Sequence, residues 1–448
     1  MNLTRHSKEI KIIIIFFVIL MIILTAILIH QNKDTSKISE AQKRTLFESV
    51  DKNRTVNVSK YSVYGTHFNL EGTIDIVKIS GIKINYVDLA LKNLNGDEIG
   101  IETDYNYSDN LLTFSTYDKL NNSIDLENLE LNNYYVFLKV TFSNSDIKYY
   151  SLSNSSQYQD ITYYSITKHS TNNKIDIGFN QYEETPYLSM NIINVDQLPD
   201  DVYDIAIDPG HGGKDKGAIN NDYTEAELAL KCSISLKSKL EDLGLKVFIS
   251  RDGVESANED MANNMYSDNG RINILNESHA KLMISLHIKD DIYNKKIGGV
   301  EVYAPNDCNL DFASTLAKNI VDTSNTNYSE LNSFKKLDGV YVRNFTNTDI
   351  LAYESRAKKA GYEPYNINTS TPYLYIIREI GGINTNAYVD GRNKSFGANK
   401  YYNSNYGIEG YKVYLGYMDI EQDLNNIVAN YSSYADGICN AIKEFYKL

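Results

Sequence analysis

A histidine at the tip of a glycine-rich turn is the first residue whose surroundings could support chemistry. Residues 205–207 are apolar, and they lead directly into Asp-Pro-Gly-His-Gly-Gly at positions 208–213. An apolar run that stops at such a turn is typical of a buried strand, and the small residues beyond it allow a ligand to approach closely. The pattern predicts that His211 is accessible, although a single histidine in a turn is more often an ordinary surface residue.

A carboxylate follows at the start of a predicted helix. Apolar residues recur at helical spacing from Cys232 to Leu243, and a glycine ends the pattern. Thr224 and Glu227 fit a capping box, which gives Glu227 a structural role. Glu225, the first residue of this helix, is therefore left to point elsewhere.

Two more polar positions follow short apolar segments. His287 ends one such segment, and Arg378 and Glu379 follow another at 373–377; both segments are predicted to be buried strands. Because side chains alternate along a strand, Arg378 and Glu379 are expected to face opposite sides. Open α/β sheets place their sites at the carboxyl ends of strands, so His211, His287 and Glu379 are expected to converge.

The residue types at this expected site favour a catalytic zinc ion. His211, Glu225 and His287 offer two nitrogens and one carboxylate, a set that leaves the fourth position of zinc open. Zinc lowers the pKa of a bound water to roughly 7, so hydroxide becomes available near neutral pH. Glu379 would shuttle the proton to the leaving nitrogen. A carboxyl group ordinarily titrates near about 4.3, so this role requires burial or a neighbouring charge that raises its pKa.

Four signals in this order resemble the zinc-dependent N-acetylmuramoyl-L-alanine amidases of the amidase 3 type. They are the turn at 207–213, the helix-opening Glu225, Ser-Leu-His at 285–287 and Glu-Ile-Gly at 379–381. Each signal lies at the kind of element that the family uses, which makes the resemblance specific.

This resemblance, which covers about Val202 to Leu448, implies a ligand set and a reaction. It implies that the same two histidines and the glutamate between them hold zinc, and that Glu379 is the catalytic acid/base. The implied reaction is hydrolysis of the amide between the lactyl group of N-acetylmuramic acid and the first L-alanine of the peptidoglycan stem. The family usually places a small residue and Asn after the second histidine, whereas Ile288 and Lys289 follow it here.

Composition narrows the classes of function. The net charge is -14, from 58 acidic and 44 basic residues, and no basic stripe compensates for it, which argues against nucleic-acid binding. Cys232, Cys308 and Cys439 are odd in number and widely spaced. Neither a disulfide framework nor a cysteine metal site is therefore expected.

The segment from Ile12 to Ile29 predicts a transmembrane signal anchor. Thr25 is the single polar residue in this run, whose length is close to the roughly 20 residues that span hydrocarbon. Three basic residues precede the run, so the positive-inside rule places the N-terminus in the cytoplasm. No small-residue cleavage site follows, which favours an uncleaved anchor over a cleaved signal peptide. The rest of the protein is expected outside the cell membrane, facing the cell wall.

The expected fold class is α/β, and the chain is expected to form four consecutive parts. Residues 1–30 form a cytoplasmic tail and the anchor, and residues 31–55 form a polar linker with a weak helix near 39–49. Residues 56–196 carry many short β-forming runs, which favour an antiparallel sandwich acting as a spacer or as a module that binds the wall or a partner. Residues 197–448 alternate strands and helices, which favours a catalytic domain with a mixed or parallel sheet flanked by helices.

Three arginines and one loop are candidate substrate contacts. Arg251, Arg271 and Arg343 could pair with substrate carboxylates, because guanidinium binds them bidentately. A scaffold salt bridge is at least as strongly indicated for the first two. The polar, glycine-bearing segment 390–405 is predicted to be a loop over the site.

Two other functions stay open. A zinc peptidase of related architecture would cleave bonds within the stem peptide. A wall-binding or scaffolding protein without activity would keep the fold and release nothing. Analysis of muropeptide products by mass separates them, because an amidase releases stem peptides with a free L-Ala amino terminus.

Overall fold

The described residues of the computed structural model form two large β-sheets, each with its own hydrophobic core, and one two-stranded hairpin. The predicted anchor at 12–29 and the predicted loop at 390–405 lie outside the residues that the structure describes. Among the described residues, no helix combines the length and the apolar character that crossing a bilayer requires. The described residues are 39–77, 81–117, 123–154, 160–168, 170–253, 270–290, 297–305, 310–361, 367–381 and 407–448.

The first sheet forms the β-rich part of the protein. Helix α1 spans residues 39–48 and precedes it, as the weak helix in the linker predicts. The first strand begins at Val50, inside the segment predicted to be linker. The strands are β1 (Val50–Tyr64), β2 (His67–Asp75), β3 (Ile84–Lys92), β4 (Glu98–Glu102), β5 (Asp104–Ser108), β6 (Leu111–Ser115), β7 (Ile124–Asp125), β8 (Asn133–Phe142), β9 (Ile147–Asn154), β10 (Ile161–Tyr164), β11 (Asn172–Tyr182) and β12 (Thr185–Val195).

This sheet is one branched network rather than two separate antiparallel layers. Strand β8 pairs with β3 along one edge, and its other edge is shared between β12 and β9. All pairs in the sheet are antiparallel except β1 with β9. Both faces of β8 are buried, which explains why residues 134–138 are all apolar or aromatic. One face lies in the main core, and on the other face Phe137 packs against Phe47 of α1.

The second sheet organises the C-terminal part. Its strands run in the order β16-β13-β17-β21-β18-β20-β19, and the first four are parallel. A two-stranded hairpin of β14 and β15 precedes helix α2. The strands are β13 (Ile205–Pro209), β14 (Ile219–Asn220), β15 (Tyr223–Thr224), β16 (Val247–Ile249), β17 (Leu282–Lys289), β18 (Glu301–Tyr303), β19 (Lys335–Leu337), β20 (Val340–Tyr341) and β21 (Glu409–Tyr417).

Helical segments cover both faces of this sheet, which confirms the predicted mixed sheet flanked by helices. One face packs against α2, α4 and α6, whose apolar stripes close a core with the central strands. The other face packs against α3 and a π-helical turn at Ile377–Gly381. The helices are α2 (Glu225–Glu241), α3 (Arg271–Asn276), α4 (Asp311–Ser324), α5 (Asn347–Ala360) and α6 (Glu421–Tyr446).

The prediction of a strand at 373–377 is wrong. The chain instead enters the π-helical turn, and Ile376, Ile377 and Ile380 are buried on its inner side against Met283 of the sheet. The position beside β17 is filled by β21, so no sheet edge is free there for 373–377. A short apolar run fits a buried helical turn as well as a buried strand, and periodicity alone does not separate the two.

The β-rich part docks directly on the C-terminal domain. The carboxylate of Asp204, just before β13, accepts hydrogen bonds from the backbone N–H of Thr167 at 2.9 Å and from its hydroxyl at 2.7 Å. Ile166 beside it joins the core of the C-terminal domain. The start of β13 is therefore fixed by polar and apolar contacts with the β-rich part as well as by its own sheet.

Candidate metal centre

The structure brings His211, Glu225 and His287 together at one end of the second sheet. One ligand atom from each lies within 4.8 Å of the others. His211 follows β13 with a positive φ of 59°, Glu225 opens α2, and His287 lies near the end of β17. Since β13 and β17 are adjacent and parallel, their carboxyl ends deliver the two histidines to the same edge.

The carboxylate of Glu225 lies between the two imidazole rings. Its Oε2 is 3.0 Å from His211 Nε2, and its Oε1 is 2.8 Å from His287 Nδ1. The backbone N–H groups of Ala218 and Ile288 each donate to one of its oxygens at 3.0 Å. Burial raises the pKa of Glu225, but the hydrogen bonds from both histidines outweigh it and hold the pKa well below its usual range. Glu225 is therefore a buried anion that is ready to act as a ligand.

Thr224 caps this helix as the sequence predicts, but the Glu227 side chain pairs with Lys231 at 2.9 Å and does not complete the predicted capping box. Thr224 Oγ1 accepts a hydrogen bond from the backbone N–H of Glu227 at 3.2 Å. The first helical side chain, that of Glu225, therefore turns inward to the histidines. A glycine at 217 permits this, because a Cβ there would overlap the Glu225 carboxylate.

His211 is held by a carboxylate that the sequence analysis missed. Asp215 Oδ2 lies 2.7 Å from His211 Nδ1, and Asp215 Oδ1 accepts a hydrogen bond from the Gly217 backbone N–H at 3.0 Å. Burial lowers the pKa of His211, but its hydrogen bonds to Glu225 and Asp215 outweigh this effect and raise it. A carboxylate on the far nitrogen fixes the orientation of a ligand histidine. An aspartate four residues after the histidine in the same turn was the available signal.

His287 is buried and uncharged at neutral pH. Burial, followed by the positive charge of Lys412, lowers its pKa to about 3. Its ring lies 5.0 Å from that of His211 and nearly perpendicular to it. Gly210 leaves room for the ring, because a Cβ at that position would overlap it. A neutral imidazole is the form that binds a metal.

These three residues fit a zinc ion by the chemistry of their donors. Imidazole nitrogen and carboxylate oxygen are both common zinc ligands, and three protein ligands leave one position for water or substrate. Asp215 adds the outer carboxylate that such sites commonly have. The observation that supports the fit is the Glu225 carboxylate, which meets both histidines through separate oxygens.

Arg251 is a scaffold residue, and its assignment as a substrate contact is wrong. Its guanidinium donates to the carbonyl oxygens of Pro209 at 3.2 Å and of Gly210 and Ala226 at 2.7 Å each. The residue is 4% exposed. Arg251 therefore ties the histidine turn to the start of α2.

The assignment of Arg271 as a substrate contact is also wrong. Its Nη1 forms an ion pair with the buried Asp208 and donates to the Pro209 carbonyl at 2.9 Å, while Nη2 donates to the His211 carbonyl at 2.7 Å. Burial raises the pKa of Asp208, but the Arg271 charge and hydrogen bonds from Ser250 and Ser285 lower it overall. Arg271 thus fixes the backbone that carries His211.

Arg343 is stacked between aromatic rings. Its guanidinium carbon lies 3.6 Å from the centre of the Tyr373 ring and 5.1 Å from that of Phe334. Its positive charge acts to lower the pKa of Tyr414, whose ring lies beside that of His287. A role for Arg343 in substrate binding stays a prediction.

Glu379 lies in the π-helical turn and is buried. The expectation that it and Arg378 face opposite sides is wrong, because a helical turn does not alternate as a strand does: Arg378 Nε donates to Glu379 Oε1 at 2.9 Å. Within the described residues, the group of potential metal ligands contains His211, Glu225 and His287 and does not include Glu379. The acid/base role of Glu379 stays a prediction.

Strand β21 forms the wall of the site next to β17. Tyr414 pairs with His287 in the sheet register, and the two rings lie 5.8 Å apart. Lys289, at the departure noted after the second histidine, donates to the buried Glu301 at 2.9 Å and to the Tyr417 hydroxyl at 3.2 Å. No residue of β21 is predicted from the sequence to be part of the site.

A protein-family model matches the part of the chain that carries the three candidate metal ligands. Residues 205–356 match the family model Amidase_3, described as N-acetylmuramoyl-L-alanine amidase. The match covers 152 residues, about a third of the chain. The matched range includes His211, Glu225 and His287 and ends before Glu379.

Two curated proteins similar to this chain come from Bacillus subtilis. The germination-specific N-acetylmuramoyl-L-alanine amidase is 26% identical over 152 residues, which cover 31% of this chain and 60% of that protein. The N-acetylmuramoyl-L-alanine amidase LytC is 32% identical over 103 residues, which cover 23% of this chain and 19% of that protein. The chain therefore spans less than two thirds of the length of each of these relatives.

Solved structures similar to this chain include two amidases. AmiC2 of Nostoc punctiforme is 17% identical with a TM-score of 0.34, over 55% of this chain and 97% of that one. The CwlD amidase of Clostridioides difficile, solved in complex with the GerS lipoprotein, is 15% identical with a TM-score of 0.34, over 55% of this chain and 98% of that one.

Proposed function

We propose that this protein is a zinc-dependent N-acetylmuramoyl-L-alanine amidase. It would hydrolyse the amide between N-acetylmuramic acid and the L-alanine of the peptidoglycan stem. The observation that carries the proposal is the Glu225 carboxylate held between His211 and His287, inside the segment that matches the amidase 3 family.

The protein groups each have a defined task in this reaction. His211, Glu225 and His287 would hold zinc, which when bound polarises a scissile carbonyl and activates water near neutral pH. Asp215 keeps the His211 ring in one orientation through its Nδ1. Backbone N–H groups on both Glu225 oxygens keep that carboxylate in place.

Glu379 is the proposed proton carrier. It would take a proton from the attacking water and donate it to the departing L-alanine nitrogen. Its burial supports this role, since it shields the carboxyl group from bulk water. The Arg378 guanidinium on Oε1 opposes it and would have to shift or be balanced when substrate binds.

We also place the enzyme at the membrane, facing the cell wall. The apolar segment 12–29 and the basic residues before it support an anchor with a cytoplasmic N-terminus. The β-rich part would then lie between the anchor and the catalytic domain, to which it docks through Asp204. Peptidoglycan is the substrate that this location supplies.

Two observations favour a second candidate, a wall-binding protein without activity. The strand residue paired with His287 is Tyr414, whose pKa burial raises above the ordinary range of a tyrosine. The candidate acid/base, Glu379, is already bonded to Arg378. A protein of this kind would hold zinc and bind peptidoglycan without releasing peptides.

Digestion of purified peptidoglycan by the zinc-loaded full-length protein in detergent tests the proposal. We expect soluble stem peptides with a free L-Ala amino terminus, identified by mass. Glu379→Gln should keep its zinc and lose turnover, since glutamine keeps the shape but cannot exchange a proton. Peptidoglycan that is bound and left intact by the wild-type protein would reverse the ranking, and cleavage within the stem would indicate a peptidase.

A further inference from the structure

A buried lysine stands on the wall of the metal centre. Lys412 lies in β21 and is 8% exposed. It pairs with Ser285, and Tyr414 two residues later pairs with His287. Side chains two residues apart on a strand share a face, as do directly paired residues of parallel neighbours. The Lys412 side chain therefore lies on the same face of the sheet as His287.

The charge of Lys412 acts on the ligands themselves. After burial, it is the strongest influence that lowers the pKa of His287. Burial lowers the pKa of Lys412 itself, and the hydroxyl of Tyr375 and the carboxylate of Glu225 oppose that effect. Lys412 Nζ lies 5.0 Å from the centre of the Tyr414 ring. The ammonium group thus belongs to the immediate surroundings of the metal centre.

Two other lysines of this domain, one buried and one partly exposed, have carboxylate or carbonyl acceptors. Lys281 Nζ donates to the Tyr203 carbonyl at 3.1 Å and lies 3.7 Å from Asp204. Lys289 Nζ lies 2.9 Å from Glu301. Within the described part of the chain, neither a hydrogen bond nor an ion pair satisfies the ammonium of Lys412. Because the described residues do not bury this nitrogen completely, an incoming ligand can reach it and supply an acceptor.

We propose that Lys412 binds a negatively charged oxygen of whatever ligand occupies the metal centre. The inference rests on the proposed function, in which that oxygen is the former amide carbonyl oxygen as it gains negative charge. The ammonium donates an N–H to it, and no covalent bond to lysine forms or breaks. Preorganised charged donors aimed at a developing oxyanion are among the strongest contributions to catalysis.

The charge balance of the centre supports an anionic ligand. A bound zinc ion and Lys412 would carry three positive charges between them. Among the groups that touch the ligand set, the carboxylates of Glu225 and Asp215 supply two negative charges. Asp208, the next acidic group that acts on Lys412, is already neutralised by Arg271. One positive charge is left for the ligand to balance.

Binding of inorganic phosphate to the zinc-loaded full-length protein tests the inference without turnover. Isothermal titration would compare the wild type with Lys412→Met, Lys412→Arg and Lys318→Met, the last an exposed lysine of α4 that serves as the control. We expect phosphate to bind about ten to a hundred times more weakly to Lys412→Met, because one charged hydrogen bond is lost. Lys412→Arg should stay within about threefold of the wild type, and Lys318→Met should match it.

Zinc affinity, measured by competition with a chelating dye, supplies the second readout. Lys412→Met should bind zinc as tightly as the wild type or more tightly, since it removes a positive charge beside a dication. If Lys412 had only a structural role, Lys412→Met would instead lose both its zinc and its folded state.

Two results would overturn the inference. One is equal phosphate affinity in Lys412→Met and the wild type at equal zinc content. The other is loss of zinc and of thermal stability in Lys412→Met without rescue by Lys412→Arg, which would make the residue a scaffold element. If the wild-type protein failed to digest peptidoglycan, the proposed function would fail while the phosphate measurement still decided the role of Lys412.

Discussion

The carboxylate of Asp215 lies 2.7 Å from Nδ1 of His211, on the side of the ring opposite the nitrogen that faces Glu225. This contact couples the orientation of a metal ligand to a residue in the same turn. Asp215 is itself fixed by the Gly217 backbone N–H. The turn therefore holds the His211 ring in a fixed orientation through contacts within the turn itself.

Replacing Asp215 with alanine should weaken zinc binding by about ten- to a hundredfold, because His211 loses the group that orients its ring. The dissociation constant for zinc, measured by dye competition, checks this. The matched control is Asp222→Ala, which removes an exposed aspartate of the same region. Equal zinc affinity in Asp215→Ala and the wild type would show that the contact does not support the ligand.

Gly210→Ala should disturb His287, because the added Cβ would overlap the imidazole ring. We expect a loss of about 1–3 kcal/mol in the free energy of unfolding, together with weaker zinc binding. Gly100→Ala is the control, since a Cβ at that strand position meets open space. Denaturant unfolding with and without zinc measures both effects. An alanine at 210 that left both quantities unchanged would mean that the ring has more room than the structure shows.

Arg271→Met should destabilise the protein by about 3–5 kcal/mol, because the buried Asp208 carboxylate loses its counter-charge. Arg271→Lys should also lose stability, since a single ammonium cannot reach the three acceptors that the guanidinium bonds. Arg356→Met, on the exposed side of α5, is the control. Thermal unfolding measures the loss. A variant of normal stability whose KM alone rose would restore Arg271 as a substrate contact.

Glu409 should make stability depend on pH. It is buried at the start of β21, and burial raises its pKa to about 7 despite a hydrogen bond from Tyr411. A carboxyl group whose folded pKa exceeds its unfolded value of about 4.3 stabilises the fold below that value and loses this contribution as pH rises to about 7. Glu409→Gln should therefore gain up to about 3 kcal/mol over the wild type at pH 8 and little at pH 4.5.

Thermal unfolding of Glu409→Gln and the wild type between pH 4.5 and 8 measures this difference. Glu421→Gln, an exposed glutamate at the start of α6, should follow the wild type throughout. A constant offset between Glu409→Gln and the wild type across the range would show that Glu409 titrates as an ordinary carboxyl group.

The three proposed ligands could be predicted because each one lies at the boundary of a helix or strand that the local sequence marks. The turn after β13, the first residue of a capped helix and the end of an apolar strand are all encoded within a few neighbouring residues. Parallel strands then bring His211 and His287 to one edge, so their convergence follows from the fold class. The mixed sheet flanked by helices follows from the same alternation of strands and helices.

Other features could not be predicted because they depend on contacts between distant segments. Arg251 and Arg271 donate mainly to backbone carbonyl groups. Every residue has a carbonyl group, so the sequence does not show which ones an arginine will reach. The turn at 377–381 is apolar enough to be a strand, and only the presence of β21 beside β17 excludes it. The position of Lys412 beside His287, where the described residues offer it no hydrogen bond or ion pair, likewise follows only from the register of β17 and β21.

The most direct test of the metal centre is a crystal structure of the zinc-loaded protein with anomalous diffraction recorded at the zinc edge. We predict one strong anomalous peak per chain, within about 2.0–2.2 Å of a nitrogen of His211, a nitrogen of His287 and a carboxylate oxygen of Glu225. A peak held by other residues, or a ligand set that omits any of these three, would contradict the account.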